Sequence, residues 1–272
     1  MNLENYFISQ FRNEHIGDDA AVIGTYVYSK DAFFENVHFK KDWLTYYQIA
    51  RKAMLVNISD AIAMNAKPKF ALLSVAMPKS MSKNDMKELA LGFKETAVEY
   101  GIEIIGGDTI SNSKLDITIT IISKTDKALL RTKIRNNYIL AYTGTLGKSA
   151  KELKKLFNLG QIHKNSKFVD INLRDKFIYT SSRFIKAGMD ISDGLFSDLG
   201  KLASSNSIGF KFYQKLPKLV ACSGEEYEML ISFDKREKKT LLRRAKQSRT
   251  KLTFFATATR KKYTNRCKAH HF

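Results

Sequence analysis

The apolar positions along the chain recur with two periods, one helical and one alternating. Leu3, Phe7, Ile8 and Phe11 share one side of a helix predicted over residues 3–13. A long helix is predicted over residues 43–66, with Ile49, Ala53, Val56 and Ile58 turned inward and Asp42 as N-cap. Ser82 with Asp85 three positions on has the pattern of a capping box. Met86, Leu89, Phe93 and Ala97 then form an apolar stripe that Gly101 closes. Strand-like runs lie at 20–23, 26–31, 70–77, 102–105 and 115–122, the last alternating as a half-buried strand does. The polar, basic stretch 124–137 is the best boundary, dividing the chain into domains 1–135 and 136–272. Beyond it the pattern predicts strands at 138–143, 208–213, 229–233 and 252–255, with helices to about residue 157 and over 195–203. Residues 160–187 are less legible, a mixture of helix and loop. Strands and helices alternating with hairpin-like pairs predict an α/β (α+β) fold of two domains.

A polar pattern is laid over this apolar one. Asp18, Asp19, Asp31, Asp60, Asp108, Asp190 and Asp193 stand beside glycine or small residues at the ends of these elements. In Ile104-Ile105-Gly106-Gly107-Asp108-Thr109, for example, a strand is expected to end in a turn that brings backbone close to a ligand. Any one such Asp reads as a cap or turn residue. Together they point to a shared site, because two like charges about 4 Å apart repel by roughly 4 kcal/mol at an effective dielectric near 20. Hard divalent cations relieve that repulsion, and Mg²⁺ in particular binds through carboxylates and substrate phosphates. Gly144-Thr145-Leu146-Gly147-Lys148-Ser149 resembles a phosphate-binding loop, but Tyr142 stands where its first glycine belongs, so it reads as a strand-to-helix turn. None of Ser29, Ser59 or Ser192 has a nearby His–Asp pattern that would make it a nucleophile.

Composition narrows the picture. The net charge of +19 raises a nucleic-acid reading, but the lysines are spread through helices and turns with no base-stacking or zinc-knuckle signature. A solvated basic face, which also draws in anionic substrates, accounts for them, and no nucleic acid is expected. The two cysteines are too few and too far apart for a disulfide framework or a zinc cluster. No long apolar run predicts a membrane span and no basic-then-apolar start predicts a secretory signal, so a cytoplasmic protein is expected.

Taken in order, Gly17-Asp18-Asp19-Ala20-Ala21, Ser29-Lys30-Asp31 with Val37-His38-Phe39, and the run 53–64 with Asn57-Ile58-Ser59-Asp60 resemble the thiamine-monophosphate kinases. Gly106-Gly107-Asp108-Thr109, Asp190-Ile191-Ser192-Asp193-Gly194-Leu195 and Gly224-Glu225-Glu226-Tyr227-Glu228 complete the set. That family shares a superfamily with aminoimidazole ribonucleotide synthetase. The resemblance implies ATP-dependent phosphorylation of thiamine phosphate to thiamine diphosphate, on a two-domain PurM-like fold whose N-terminal mixed sheet pairs across a homodimer. It implies Mg²⁺ ligands at Asp19, Ser29, Lys30, Asp31, Asp60, Asp108, Asp190 and Asp193, and ATP contacts at Gly107, Asp108, Arg131 and Ser192. His38 and Glu225 would contact thiamine phosphate.

The chain departs from the family pattern in three places. Lys30 replaces a hydroxyl residue, so a metal contact there would use its backbone carbonyl. Glu226 stands where the family has Asp. Ala269 stands in the place of an aromatic that stacks on the substrate, with His270 and Phe272 as substitutes. The chain is also short for the family between residues 158 and 188. Selenophosphate synthetase-like chemistry would want a reactive cysteine in a glycine-rich N-terminal segment, and none is there. An aminoimidazole ribonucleotide synthetase-like ligase fits the Ser-Asp-Gly and Gly-Glu-Glu-Tyr-Glu stretches less well, and a basic nucleic-acid-binding protein is the remote alternative.

Overall fold

The computed structural model describes residues 3–11 and 13–268. In chain order its first half contains α1 (Leu3–Ile8), β1 (Ala21–Ile23), β2 (Tyr26–Phe34), α2 (Tyr46–Ala63), β3 (Lys67–Pro78), α3 (Lys83–Tyr100), β4 (Glu103–Asn112) and β5 (Asp116–Lys124). The second half contains β6 (Ile139–Thr143), α4 (Lys148–Phe157), α5 (Asp175–Ser181), β7 (Ala187–Asp190), α6 (Leu195–Asn206), β8 (Gly209–Phe212), α7 (Lys218–Cys222), β9 (Met229–Phe233), α8 (Lys238–Gln247) and β10 (Leu252–Thr259). The first sheet runs β1-β2-β5-β3-β4, antiparallel except for the β3–β4 pair. The second runs β7-β9-β6-β10-β8 and is antiparallel throughout.

Helix α2 is the piece that joins the halves. It is apolar nearly all round, as a helix buried on every side must be, and it packs on β2, β5 and α3 of the first half and on β7 and α5 of the second. Thr45, not Asp42, caps it: the Thr45 hydroxyl accepts from the amide of Gln48, and the Gln48 side chain accepts from the amide of Thr45. The expected start therefore moves inward, because the chain first turns at 40–43, where the Trp43 amide bonds the Lys40 carbonyl. Helix α3 begins and ends as its pattern predicts, with Ser82 and Asp85 forming the capping box and Gly101 left-handed at φ 65°. It approaches α2 backbone to backbone at Gly92, where a Cβ would overlap the Tyr47 carbonyl.

Three expectations are corrected, and one strand appears that the pattern did not predict. Helix α1 stops at Ile8, and Leu3, Phe7, Ile8 and Phe11 are exposed rather than turned to a core. Strand β4 does not end at Ile105 but continues through Gly106, Gly107 and Asp108 beside β3, so no phosphate turn forms there. Gly107 is required for that pairing, since a Cβ on it would overlap the Leu73 carbonyl. Residues 187–190 form β7, a buried strand too short to show a period. Cys222 and Cys267 are joined by a disulfide that ties the chain after β10 to the end of α7.

Candidate active site

Strand β2, helix α2 and strand β7 converge on one cluster of carboxylates. Asp19 lies just before β1, Asp60 in the last turn of α2 and Asp190 at the end of β7, and one oxygen from each falls within 4.8 Å of the others. Asp31 joins them from β2, near enough for its charge to bear on Asp60. Ser59 sets the Asp190 carboxylate by donating to it at 2.6 Å across the two halves. Asn57 sets Asp31, its side-chain oxygen accepting from the Asp31 amide at 2.8 Å. The Arg131 guanidinium holds Asp19 at 2.5 Å, while the Asp18 side chain accepts from the Arg131 backbone amide at 2.6 Å.

These carboxylates resist ionisation together. Burial, and then the charges of Asp31, Asp190 and Asp19, push Asp60 well above the usual carboxylate range. Asp190 is pushed up by burial and then by Asp19, and Asp19 rises through burial against the opposing Arg131. Burial first and Asp19 second lift Asp31 to about 6. Asp19 Oδ2 is buried without a hydrogen bond. An all-oxygen donor set with an orphaned oxygen is what a hard divalent cation fits.

The cluster borders a cavity of about 740 Å³ that Asp31, Asp60, Asp190, Ser192 and Asp193 line on one side. His38 and Glu225 line it as well, the former with Nδ1 accepting from the Phe34 amide at 3.0 Å. The loop that carries Glu225 holds two non-glycine residues in the left-handed region, Glu225 at φ 53° and Tyr227 at φ 49°. Amides of these two residues bond the carbonyls of Ser192 and Ile191, so this loop and the Asp190–Asp193 stretch are set together.

The remaining expected residues are placed differently. Ser29 is buried on the α2 side of β2, where its hydroxyl donates to the Asn57 carbonyl. The Lys30 side chain points to the opposite face and reaches Thr118 and Thr120. Asp193 is paired with Lys201 at 2.6 Å. Gly107 and Asp108 do not line the cavity. The register sets Ala32, Thr118, Ser74 and Asp108 in one row across the sheet, so Asp108 sits three strand spacings, about 14 Å, from β2. The pleat also turns Asp108 to the face opposite Asp31.

Several polar residues at the site carry no spacing signal of their own. Lys52, 1% exposed, reaches Glu225 at 2.7 Å; its only sign in the sequence is a charged residue inside an apolar helical run. Asp198 is buried beside Lys201. Glu226 and Glu228 serve structure. Glu226 accepts from the amides of Gly147 and Ser149, so a carboxylate already occupies the turn that looked like a phosphate loop. Glu228 is gripped by Arg174 through two bonds of 2.7 Å and by Lys167 at 3.0 Å.

Comparison with known proteins agrees with this geometry. Residues 17–125, which hold the first sheet and Asp19, Asp31 and Asp60 of the cluster, match the family described as AIR synthase related protein, N-terminal domain. The thiamine-monophosphate kinase of Bacillus subtilis is 32% identical over 250 residues, covering 79% of this chain and 75% of that protein. That of Buchnera aphidicola subsp. Schizaphis graminum is 33% identical, covering 83% and 78%. The chain belongs to the thiamine-monophosphate kinase family. Among solved structures, AaThiL complexed with AMPPCP and TMP superposes with a TM-score of 0.88 at 22% identity, covering 99% of this chain and 96% of that one. A HypE–HypF complex superposes with a TM-score of 0.80 at 18% identity, covering 97% and 94%. At these identities the likeness speaks for the fold.

Proposed function

We propose that the chain transfers the γ-phosphoryl group of ATP onto the phosphate of thiamine phosphate, giving thiamine diphosphate and ADP. Family membership supports the reaction, and one structural observation carries its placement: the Asp19–Asp60–Asp190 cluster at the edge of a cavity that Glu225 and His38 also line. A phosphate oxygen of the acceptor attacks the γ-phosphorus as the bond to the ADP oxygen breaks. No covalent intermediate is needed, so the protein's work is positioning and charge balance.

In this reading Asp19, Asp31, Asp60, Asp190 and Asp193 hold Mg²⁺, with Ser29 and the backbone carbonyl of Lys30 beside them. Bound Mg²⁺ supplies the positive charge that lets two anionic phosphates approach. Ser192 and Arg131 contact ATP, and His38 and Glu225 hold thiamine phosphate. The two sheets form two domains divided near residue 135.

Asp108 and Gly107 enter from a second copy. Asp108 lies on the outer face of the first sheet with exposed apolar Tyr28, Leu72, Ile105 and Ile110 on the same sheet, a surface suited to a homodimer. Among the described residues no helix is long and apolar enough to cross a membrane, in keeping with a cytoplasmic enzyme. Chromatographic assay of thiamine diphosphate and ADP, with Mg²⁺ and then with excess chelator, tests the reading. Matched formation of both products is expected, lost on chelation. ATP hydrolysis without thiamine diphosphate would refute the acceptor.

A further inference from the structure

Away from the carboxylates the same cavity is walled by aromatic rings. Trp43, just before α2, and Phe157, at the end of α4, meet edge to face with centroids 5.1 Å apart, and Phe168 lies 6.4 Å from Trp43. Phe157 is 60% exposed, so its ring is open to a ligand in the cavity. The rings already attract cations. The Lys40 ammonium stands 5.4 Å from the Trp43 ring and 5.5 Å from Phe157, and Lys52 stands 3.5 Å from Phe168.

We propose that Trp43 and Phe157 form the surface that binds the cationic thiazolium ring of thiamine phosphate, an assignment that rests on the acceptor named above. Two physical arguments carry it. First, thiamine phosphate is anionic at one end and cationic in its ring, and the cavity offers a cluster suited to metal-bound phosphate on one side and π faces on another. Second, thiamine phosphate is neutral to anionic overall, so the basic chain draws it in by its phosphate, and the ring's own positive charge then calls for a local attractor away from the metal-binding end. An indole face supplies the strongest such attraction among the aromatic side chains. Lys40 marks the position at which a positive group rests on both rings. It is exposed and sits on a flexible side chain, so the incoming ring displaces it into water.

Trp43 is the chain's only tryptophan, which makes its emission a direct reporter. Thiamine phosphate, added without ATP, is expected to quench that emission saturably, whereas inorganic phosphate at the same concentrations leaves it unchanged. Trp43→Leu and Phe157→Leu are each expected to raise KM for thiamine phosphate about tenfold with KM for ATP unchanged. Phe157 is exposed, so its replacement tests the surface without emptying the core. Unchanged KM for thiamine phosphate in both variants, with thiamine diphosphate still formed by the wild-type chain, overturns the assignment and leaves the acceptor standing. Failure of the wild-type chain to form thiamine diphosphate overturns the acceptor and the assignment with it.

Discussion

The Lys52 ammonium lies 2.7 Å from a Glu225 oxygen, joining the middle of α2 to the loop between α7 and β9. Lys52 is 1% exposed, and Glu225 is the carboxylate that balances its charge while the Phe168 ring lies 3.5 Å away. The pair fixes the direction of a carboxylate that lines the cavity. Lys52→Met leaves Glu225 without its cation, and a loss of about 3 kcal/mol in urea unfolding is expected. KM for thiamine phosphate should rise more than kcat falls, because positioning at the acceptor is what is lost. Lys52→Arg restores charge but not shape, and partial recovery of KM is the expected result.

The carboxylate cluster makes a prediction about pH. Asp31 is lifted to about 6, mainly by burial and then by Asp19, and Asp198 to about 7 by burial against the opposing Lys201. An acid whose folded pKa is raised binds more protons folded than unfolded between the two values. Its contribution to stability is therefore greatest near its unfolded value, around 4, and is lost as pH rises through 6 to 7. Burial raises Glu228 but Arg174 and Lys167 outweigh it and hold it low, so it acts in the opposite sense and only below its ordinary value of 4.5. In chelator, Tm should climb as pH falls from 8 to about 5.5. Saturating Mg²⁺ should flatten that slope by favouring the ionised cluster, and Asp60→Asn should flatten it without metal. Calorimetric scans across this range check all three.

Arg174 gives a prediction of the opposite kind. Its two bonds to Glu228 tie the segment before α5 to β9, away from the phosphate-binding carboxylates. Arg174→Met leaves a buried carboxylate with the Lys167 ammonium and the Thr143 hydroxyl, and about 2 to 3 kcal/mol of stability should be lost by urea unfolding. KM for both substrates should hold in the fraction that remains folded.

Much of this arrangement is legible in the chain. Ser82, Asp85 and Gly101 specify the ends of α3 through contacts within one turn, and the alternation in β5 survives as a strand with one buried face. The carboxylates that cluster were readable because each brings a local pattern of small residues. What was not readable depends on partners far along the chain. Glu226 and Glu228 share a motif stretch with Glu225, and only the folded chain shows Gly147, Lys167 and Arg174 taking them. Asp42 looked like a cap until Thr45 with Gln48 did that work. Gly106 and Gly107 looked like a turn because local sequence does not report that β3 runs alongside, close enough at Gly107 to exclude a Cβ. The residues after Lys268, with Ala269, His270 and Phe272, lie outside the described residues.

Asp108 provides the sharpest test of how the site is assembled. Its row in the first sheet places it about 14 Å from β2 and on the other face from Asp31, so within one chain it stands apart from the cluster. Asp108→Asn alone and Asp60→Asn alone should each lose turnover with the fold retained by circular dichroism. The two inactive chains, unfolded and refolded together, discriminate between assembly modes. If Asp108 serves the site of a second copy, a mixed dimer has one site with both substitutions and one with neither. Half of all dimers are then mixed and half their sites are intact, so about a quarter of wild-type activity should return. If Asp108 serves its own chain, every site in every mixture carries one substitution and nothing returns. Recovery near a quarter therefore requires both the dimer and the crossing of Asp108 between subunits, and no recovery rejects that crossing whatever the oligomeric state.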